Sequence, residues 1–317
     1  MLFNKIFDIP SDVDIFTYAD SYMEQSDNTQ ANLVFQQIAE DSPEIVGLVD
    51  ENTGKTYAVS VFNPKNNDMP DDFWVIFTNI VSKDAEFEEI VRNLLSNDRI
   101  RARTRTIQYS KNQFNNALIE YYSLKLMDTS FCGGCSRDRP SYNNLYPQDR
   151  VDSLKLLLES VMESEGFNLK DMTILEICCG NGFSTLALKD LGCDVLSIDI
   201  EKCDICDGLY HKILDSKHTI YLDATRLSHI FGSEMFECTT GFMLGAIYPF
   251  NQSLWENIIQ NAFSVTKKGG MLLFTVNKEE EIIILKNKLE SLGAVGSIQE
   301  NPNSVSVYDK WIYVGQR

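Results

Sequence analysis

The sequence predicts two α/β domains, the second built on a parallel sheet covered on both faces. Three observations carry this: a length of 317 residues, enough for two cores; a change of rhythm near Val151 to short apolar strands alternating with helical stretches of ten or more residues; and the near-continuous apolar character of those strands. Composition agrees, with 44% apolar and 23% charged residues, close to soluble globular averages.

In the first domain, residues 32–40 have helical spacing, and Ile45–Val49 with Thr56–Phe62 flank a turn built on Asn52 and Gly54, predicting a hairpin. Phe73–Ile80 reads as a buried strand and Ala85–Leu95 as a helix. Arg99–Tyr109 alternates with period two, and Phe114–Met127 returns to helical spacing. The domain is expected to span residues 1–128. Residues 129–150, rich in Gly, Pro, Ser and Asn, read as a linker or lid loop before a domain at 151–317.

The second domain opens with an amphipathic helix over Val151–Ser164. Predicted strands follow at Thr173–Cys178, Asp194–Ile198, Thr219–Leu222, Met235–Thr240 and Met271–Val276. Between the first strand and the helix Phe183–Asp190 lies Glu176-Ile-Cys-Cys-Gly-Asn-Gly182, where Gly180 and Gly182 let the backbone approach a ligand above the strand end. Asp199 ends the next strand, placed to accept hydrogen bonds from both hydroxyls of a ribose. Asp223-Ala224 ends the third, where a carboxylate beside an amide can read adenine.

This order of features resembles the class I S-adenosylmethionine-dependent methyltransferases over about residues 154–317. The resemblance implies a Rossmann-like seven-stranded methyltransferase domain preceded by a smaller α/β domain. Cys178 stands at the first glycine of that family's opening motif. The implied cofactor is S-adenosyl-L-methionine, held by Glu176, Cys178, Gly180, Asn181, Gly182, Asp199, Ile200, Asp223, Ala224 and Gly241. Glu279–Leu292, Ala294–Gln299 and Lys310–Gly315 look like the last helix and the antiparallel pair that closes the fold.

The methyl acceptor is expected to be a small molecule or a protein side chain. After the fourth strand the chain reads Gly241-Phe-Met-Leu-Gly-Ala-Ile-Tyr-Pro-Phe250, without the Asn/Asp-Pro-Pro-aromatic signature that grips an exocyclic amine. Tyr142, Tyr146 and Tyr248 are candidate substrate contacts. The net charge of −18 argues against nucleic acid, although residues 99–150 carry a net +5. In an extended strand Arg99, Arg101, Arg103 and Arg105 would share one face; the plainer expectation is a solvated or charge-neutralised edge. His211, His218 and His229 read as solvated or structural rather than as an unpaired base.

Cys132-Gly-Gly-Cys135 and Cys203-Asp-Ile-Cys206 are C-x-x-C pairs, and brought together they would hold zinc or an iron–sulfur cluster. Cys178, Cys179, Cys193 and Cys238 read as small buried residues. The second class of function is therefore a metal-binding or regulatory protein retaining the cofactor fold. No apolar run reaches membrane-span length, and Asp8, Asp12 and Asp14 interrupt the N-terminus, so a cytoplasmic location is expected.

Overall fold

A computed structural model describes residues 1–18, 28–66, 70–78, 85–128 and 138–317. The chain forms two compact units, Met1–Lys125 and Leu126–Arg317. Among the described residues the first contains strands β1 (Asp14–Thr17), β2 (Ile45–Asp50), β3 (Thr56–Asn63), β4 (Phe73–Thr78) and β5 (Thr104–Tyr109), in the order β1-β4-β3-β2-β5. The β2–β3 hairpin turns because the Asp50 carboxylate accepts the Asn52 and Thr53 amides at 2.8 and 2.9 Å, and Gly54 supplies a φ of 70°. Val59, Val61, Val75 and Phe77 from the sheet pack with Phe35 and Phe87 from its helices. Phe3, Phe7 and Phe114 form a separate aromatic cluster.

The expected strand over Arg99–Tyr109 is corrected. The Asn97 side chain accepts the Arg99 amide at 3.0 Å and starts a short helix, Asp98–Arg101, so β5 begins only at Thr104. The four arginines therefore form no row. Arg103 donates to the carbonyls of Glu40 (3.1 Å) and Ser42 at the end of the helix Asn28–Asp41. Arg105 donates to the carbonyl of Phe7 (2.6 Å), which closes the helix Leu2–Phe7, and to the Glu44 carboxylate at 3.0 Å. Guanidiniums at helix C-termini satisfy orphan carbonyls and complement the helix dipole.

In the second unit the lead helix runs Gln148–Glu165, starting three residues before Val151 because Pro147 sits at its N-cap. Gly166 ends it with a φ of 72°. Val151, Leu154, Leu158 and Val161 bury one stripe of it in the core. The described part of the expected loop, from residue 138, includes a helical turn at Tyr142–Leu145.

The second sheet has seven strands among the described residues: β6 (Ile174–Ile177), β7 (Val195–Asp199), β8 (Thr219–Tyr221), β9 (Phe236–Gly241), β10 (Thr266–Val276), β11 (Val295–Glu300) and β12 (Trp311–Gln316). Their order is β11-β12-β10-β9-β6-β7-β8, and β12 runs opposite in direction to the other six. From β6 the chain winds outward through β7 and β8, then returns to β9 on the other side. That reversal opens a crevice at the carboxyl ends of the strands. No helix among the described residues is long and apolar enough to cross a membrane.

Candidate cofactor site

Register brings the predicted strand ends together. Ile177 lies opposite Ile198 and Asp199 opposite Tyr221, so Cys178 falls beside Asp199, and Asp223 follows two residues beyond the pair. On the other flank Glu176 pairs with Thr240, next to Gly241.

Glu176, expected among the cofactor contacts, is 0% exposed and is directed to the face of the sheet that the helix Phe183–Asp190 covers. Its carboxylate accepts the hydroxyls of Ser184, Thr185 and Ser197 at 2.5, 2.5 and 2.7 Å. Burial nonetheless pushes its pKa above the ordinary carboxylate value. It ties β6, β7 and the helix Phe183–Asp190 together under the turn.

The turn itself is left-handed at three positions, with φ of 54° at Cys178, 55° at Gly180 and 85° at Gly182. Cys178 occupies a conformation that glycine adopts without strain, at the position where the resemblance expects glycine. A Cβ added at Gly180 would meet nothing within 4 Å, so space lies open above it. One at Gly182 would strike Leu214 at 2.6 Å, and one at Gly208 would strike the Asn181 carbonyl at 2.4 Å. The helix Lys202–Tyr210 thus needs Gly208 to pack against the turn.

Asp199, 8% exposed, braces the turn through its carboxylate, which accepts the Gly180 amide at 2.7 Å on one oxygen and the Glu201 amide at 2.7 Å on the other. Burial raises its pKa, against the lowering effect of these amides. Asp223 accepts the amide and hydroxyl of Thr225, both at 2.8 Å, on Oδ1. Ile200 is exposed at the end of β7, and Ala224 is buried after Asp223. Gly241 is hemmed in by Leu244, Ile177 and Phe274, so close packing requires glycine there.

Tyr142 and Tyr146 lie against His211, and the Tyr146 hydroxyl donates to the Asn181 carbonyl at 2.8 Å. His211 Nε2 contacts the Pro140 carbonyl at 3.0 Å. Tyr248 is exposed and stacks on Phe250, their ring centroids 5.4 Å apart and their planes inclined by 11°.

Cys132 and Cys135 lie outside the described residues. Cys203 is exposed on the helix that follows Asp199, and Cys206 is partly buried there. Among the described residues no group of three or more His, Cys, Asp or Glu side chains is placed to hold a metal ion. Nothing among them supports the metal-binding alternative.

Two features escaped sequence reasoning. Ser184, Thr185 and Ser197 were legible only as hydroxyls after a glycine turn and inside a strand. Arg150 lies at the edge of the expected loop; its Cζ is 3.7 Å from the Phe183 ring and 3.9 Å from the Tyr308 ring.

No protein-family model matches the chain. No curated protein matches it. Solved structures do match about half of the chain in fold. A SAM-dependent methyltransferase from Archaeoglobus fulgidus is 13% identical over 51% of this chain and 94% of its own, with a TM-score of 0.38. An rRNA methylase from Streptococcus thermophilus is 16% identical over 53% and 93%, with a TM-score of 0.36. A ribosomal protein L11 methylase from Lactobacillus delbrueckii subsp. bulgaricus is 16% identical over 53% and 78%, with a TM-score of 0.39. Over about half its length the chain resembles class I S-adenosylmethionine-dependent methyltransferases.

Proposed function

We propose that residues 151–317 bind S-adenosyl-L-methionine and transfer its methyl group to a small molecule or a protein side chain. The observation that carries this reading is the turn at Gly180–Gly182. It is braced by Asp199 at the switch point of the seven-stranded sheet and has open space above Gly180.

Bound there, the sulfonium supplies a methyl group already activated for in-line attack. The chain has to hold, orient and exclude water. Gly180 and Gly182 admit close backbone approach. Asp199 accepts the ribose hydroxyls, and Asp223 with the Ala224 amide reads the adenine edge. Tyr248, stacked on Phe250, offers an exposed aromatic wall for the acceptor. The same fold serves an rRNA methylase. The preference against nucleic acid here rests instead on the −18 charge of this chain.

Titration calorimetry with S-adenosylmethionine tests the binding half: micromolar binding in the wild-type chain and its loss in Asp199→Ala support the reading, and no binding overturns it. Incubation with labelled cofactor and cell extract then shows whether label enters small molecules, protein or RNA.

A further inference from the structure

Tyr248-Pro-Phe-Asn251 is a turn that holds two aromatic rings side by side in solvent. The Tyr248 carbonyl accepts the Asn251 amide at 3.0 Å. The Asn251 side chain accepts the Tyr248 amide at 2.7 Å and donates to the Ala246 carbonyl at 3.0 Å. Pro249, at the second position of the turn, fixes its own φ and restricts Tyr248 before it. Ile247 is buried and roots the turn, its amide donating to the Glu281 carboxylate at 3.3 Å. The rings of Tyr248 and Phe250 lie within 11° of parallel. Tyr248 is 44% exposed and Phe250 83%, so the face of the Phe250 ring turned away from Tyr248 is open to a third flat ring. On a slack loop the two rings would lose entropy in aligning on a ligand; here the turn has aligned them in advance.

A positive charge stands beside them. The exposed Lys278 places Nζ 5.6 Å from the centroid of the Tyr248 ring. No carboxylate among the described residues, the adjacent Glu279 and Glu280 included, is ion-paired with it. The Glu281 carboxylate is taken up by the Ile247 and Lys278 amides. A flat ring gains from the Phe250 face, and a negative charge carried on that ring gains from the ammonium.

The place of this platform in the fold separates it from the nucleoside residues. The Met243 and Leu244 amides donate to the Thr275 hydroxyl and carbonyl at 2.7 and 3.0 Å, and Lys278 stands two residues past the end of β10. The segment is thus hooked to the carboxyl ends of β9 and β10. Asp223 and Ala224 follow β8, three strands from β9, about 14 Å at the usual strand spacing. A ring lying on Phe250 is therefore not an adenine held at Ala224. We infer that Tyr248, Phe250 and Lys278 form a site for a flat aromatic carboxylate, which makes the methyl acceptor an aromatic acid. Naming that molecule the acceptor rests on the methyltransferase reading above.

The test uses the full chain, labelled with ring-¹³C-phenylalanine and saturated with S-adenosylhomocysteine, into which benzoate is titrated while the Phe250 ring signal is followed; Phe250→Leu identifies that signal by its loss. A saturable shift is expected. Benzoate should bind about tenfold more tightly than cyclohexanecarboxylate, which keeps the charge without the flat ring, and than benzyl alcohol, which keeps the ring without the charge. Lys278→Gln should remove the advantage over benzyl alcohol and leave that over cyclohexanecarboxylate. An unmoved Phe250 signal overturns the inference, as does equal affinity for benzoate and either of the other two. So does a shift that appears only when S-adenosylhomocysteine is left out, because the platform then holds the cofactor. If S-adenosylhomocysteine itself fails to bind, the methyltransferase reading falls and with it the name of acceptor, while the benzoate series still decides the site.

Discussion

The Tyr146 hydroxyl donates a 2.8 Å hydrogen bond to the carbonyl of Asn181, the central residue of the glycine turn. Tyr146 is 3% exposed, and burial raises the pKa of its phenol well above the ordinary value, so the hydroxyl stays protonated and available as a donor. A residue expected to face the acceptor is found bonded to the main chain of the proposed cofactor loop. Tyr146→Phe keeps the ring packing on His211 and Tyr142 but leaves the carbonyl without this donor. It is expected to lower stability by about 1 kcal/mol, the usual net worth of one hydrogen bond. Urea denaturation reads this, and calorimetry should show S-adenosylmethionine affinity falling as the turn loosens.

What could be read in the sequence follows from how local each signal is. The helix Phe183–Asp190 and the strand ends at Asp199 and Asp223 were legible because parallel buried strands are apolar along their whole length and stop at polar residues. The Arg99–Tyr109 alternation misled because Asn97 caps a helix first, and one capping hydrogen bond outweighs a two-residue period over so short a run. β1, four residues long, was missed because its partner is β4, far along the chain, and nothing local marks it. The role of Glu176 was hidden for the same reason: its three partners come from the following helix and the next strand.

Two single methyl groups should separate binding from folding. Gly208→Ala drives a Cβ to 2.4 Å from the Asn181 carbonyl and 2.6 Å from Leu214, so overpacking should cost about 1–3 kcal/mol of stability. Gly180→Ala meets no atom within 4 Å and pays chiefly for a left-handed φ of 55°, about 1 kcal/mol. Its methyl group projects into the space proposed for the cofactor. Thermal denaturation should therefore be hurt more by Gly208→Ala and calorimetric affinity more by Gly180→Ala. The reverse ranking would place the ligand elsewhere.

Asp199 gives the binding reaction a pH dependence. Its carboxylate must be ionised to accept the Gly180 and Glu201 amides together with ribose hydroxyls, and burial raises its pKa. As pH falls, protonation begins before an exposed aspartate would titrate, so affinity for S-adenosylmethionine should decline early on the acid side. Asp199→Asn sets a side-chain NH₂ against one of the two amides, donor against donor. It should weaken binding by about 1.5–3 kcal/mol at neutral pH and flatten the acid decline. Calorimetry across the acid range checks both, and an unchanged pH profile in Asp199→Asn would assign the titration to another group.

Glu176 titrates with consequences for folding instead. Its pKa in the folded state lies above the unfolded value because burial penalises the charge, even with three hydroxyls donating to it. A carboxyl shifted in this direction contributes most to stability below its unfolded pKa and loses that contribution as pH rises through the folded pKa. Glu176→Gln removes the titration while keeping the volume, and with its NH₂ group in place of Oε1 the Ser184 hydroxyl can rotate to accept from it while Thr185 and Ser197 still donate to the remaining oxygen. Glu176→Ala strips the acceptor from three buried hydroxyls, each worth about 1–3 kcal/mol when left unsatisfied, and opens a cavity as well. Urea denaturation at several pH values should show the alanine variant much the weaker. The difference between wild type and Glu176→Gln should shrink toward acid and grow toward neutral pH in favour of glutamine. Parallel pH slopes for those two proteins would mean that Glu176 keeps one protonation state throughout.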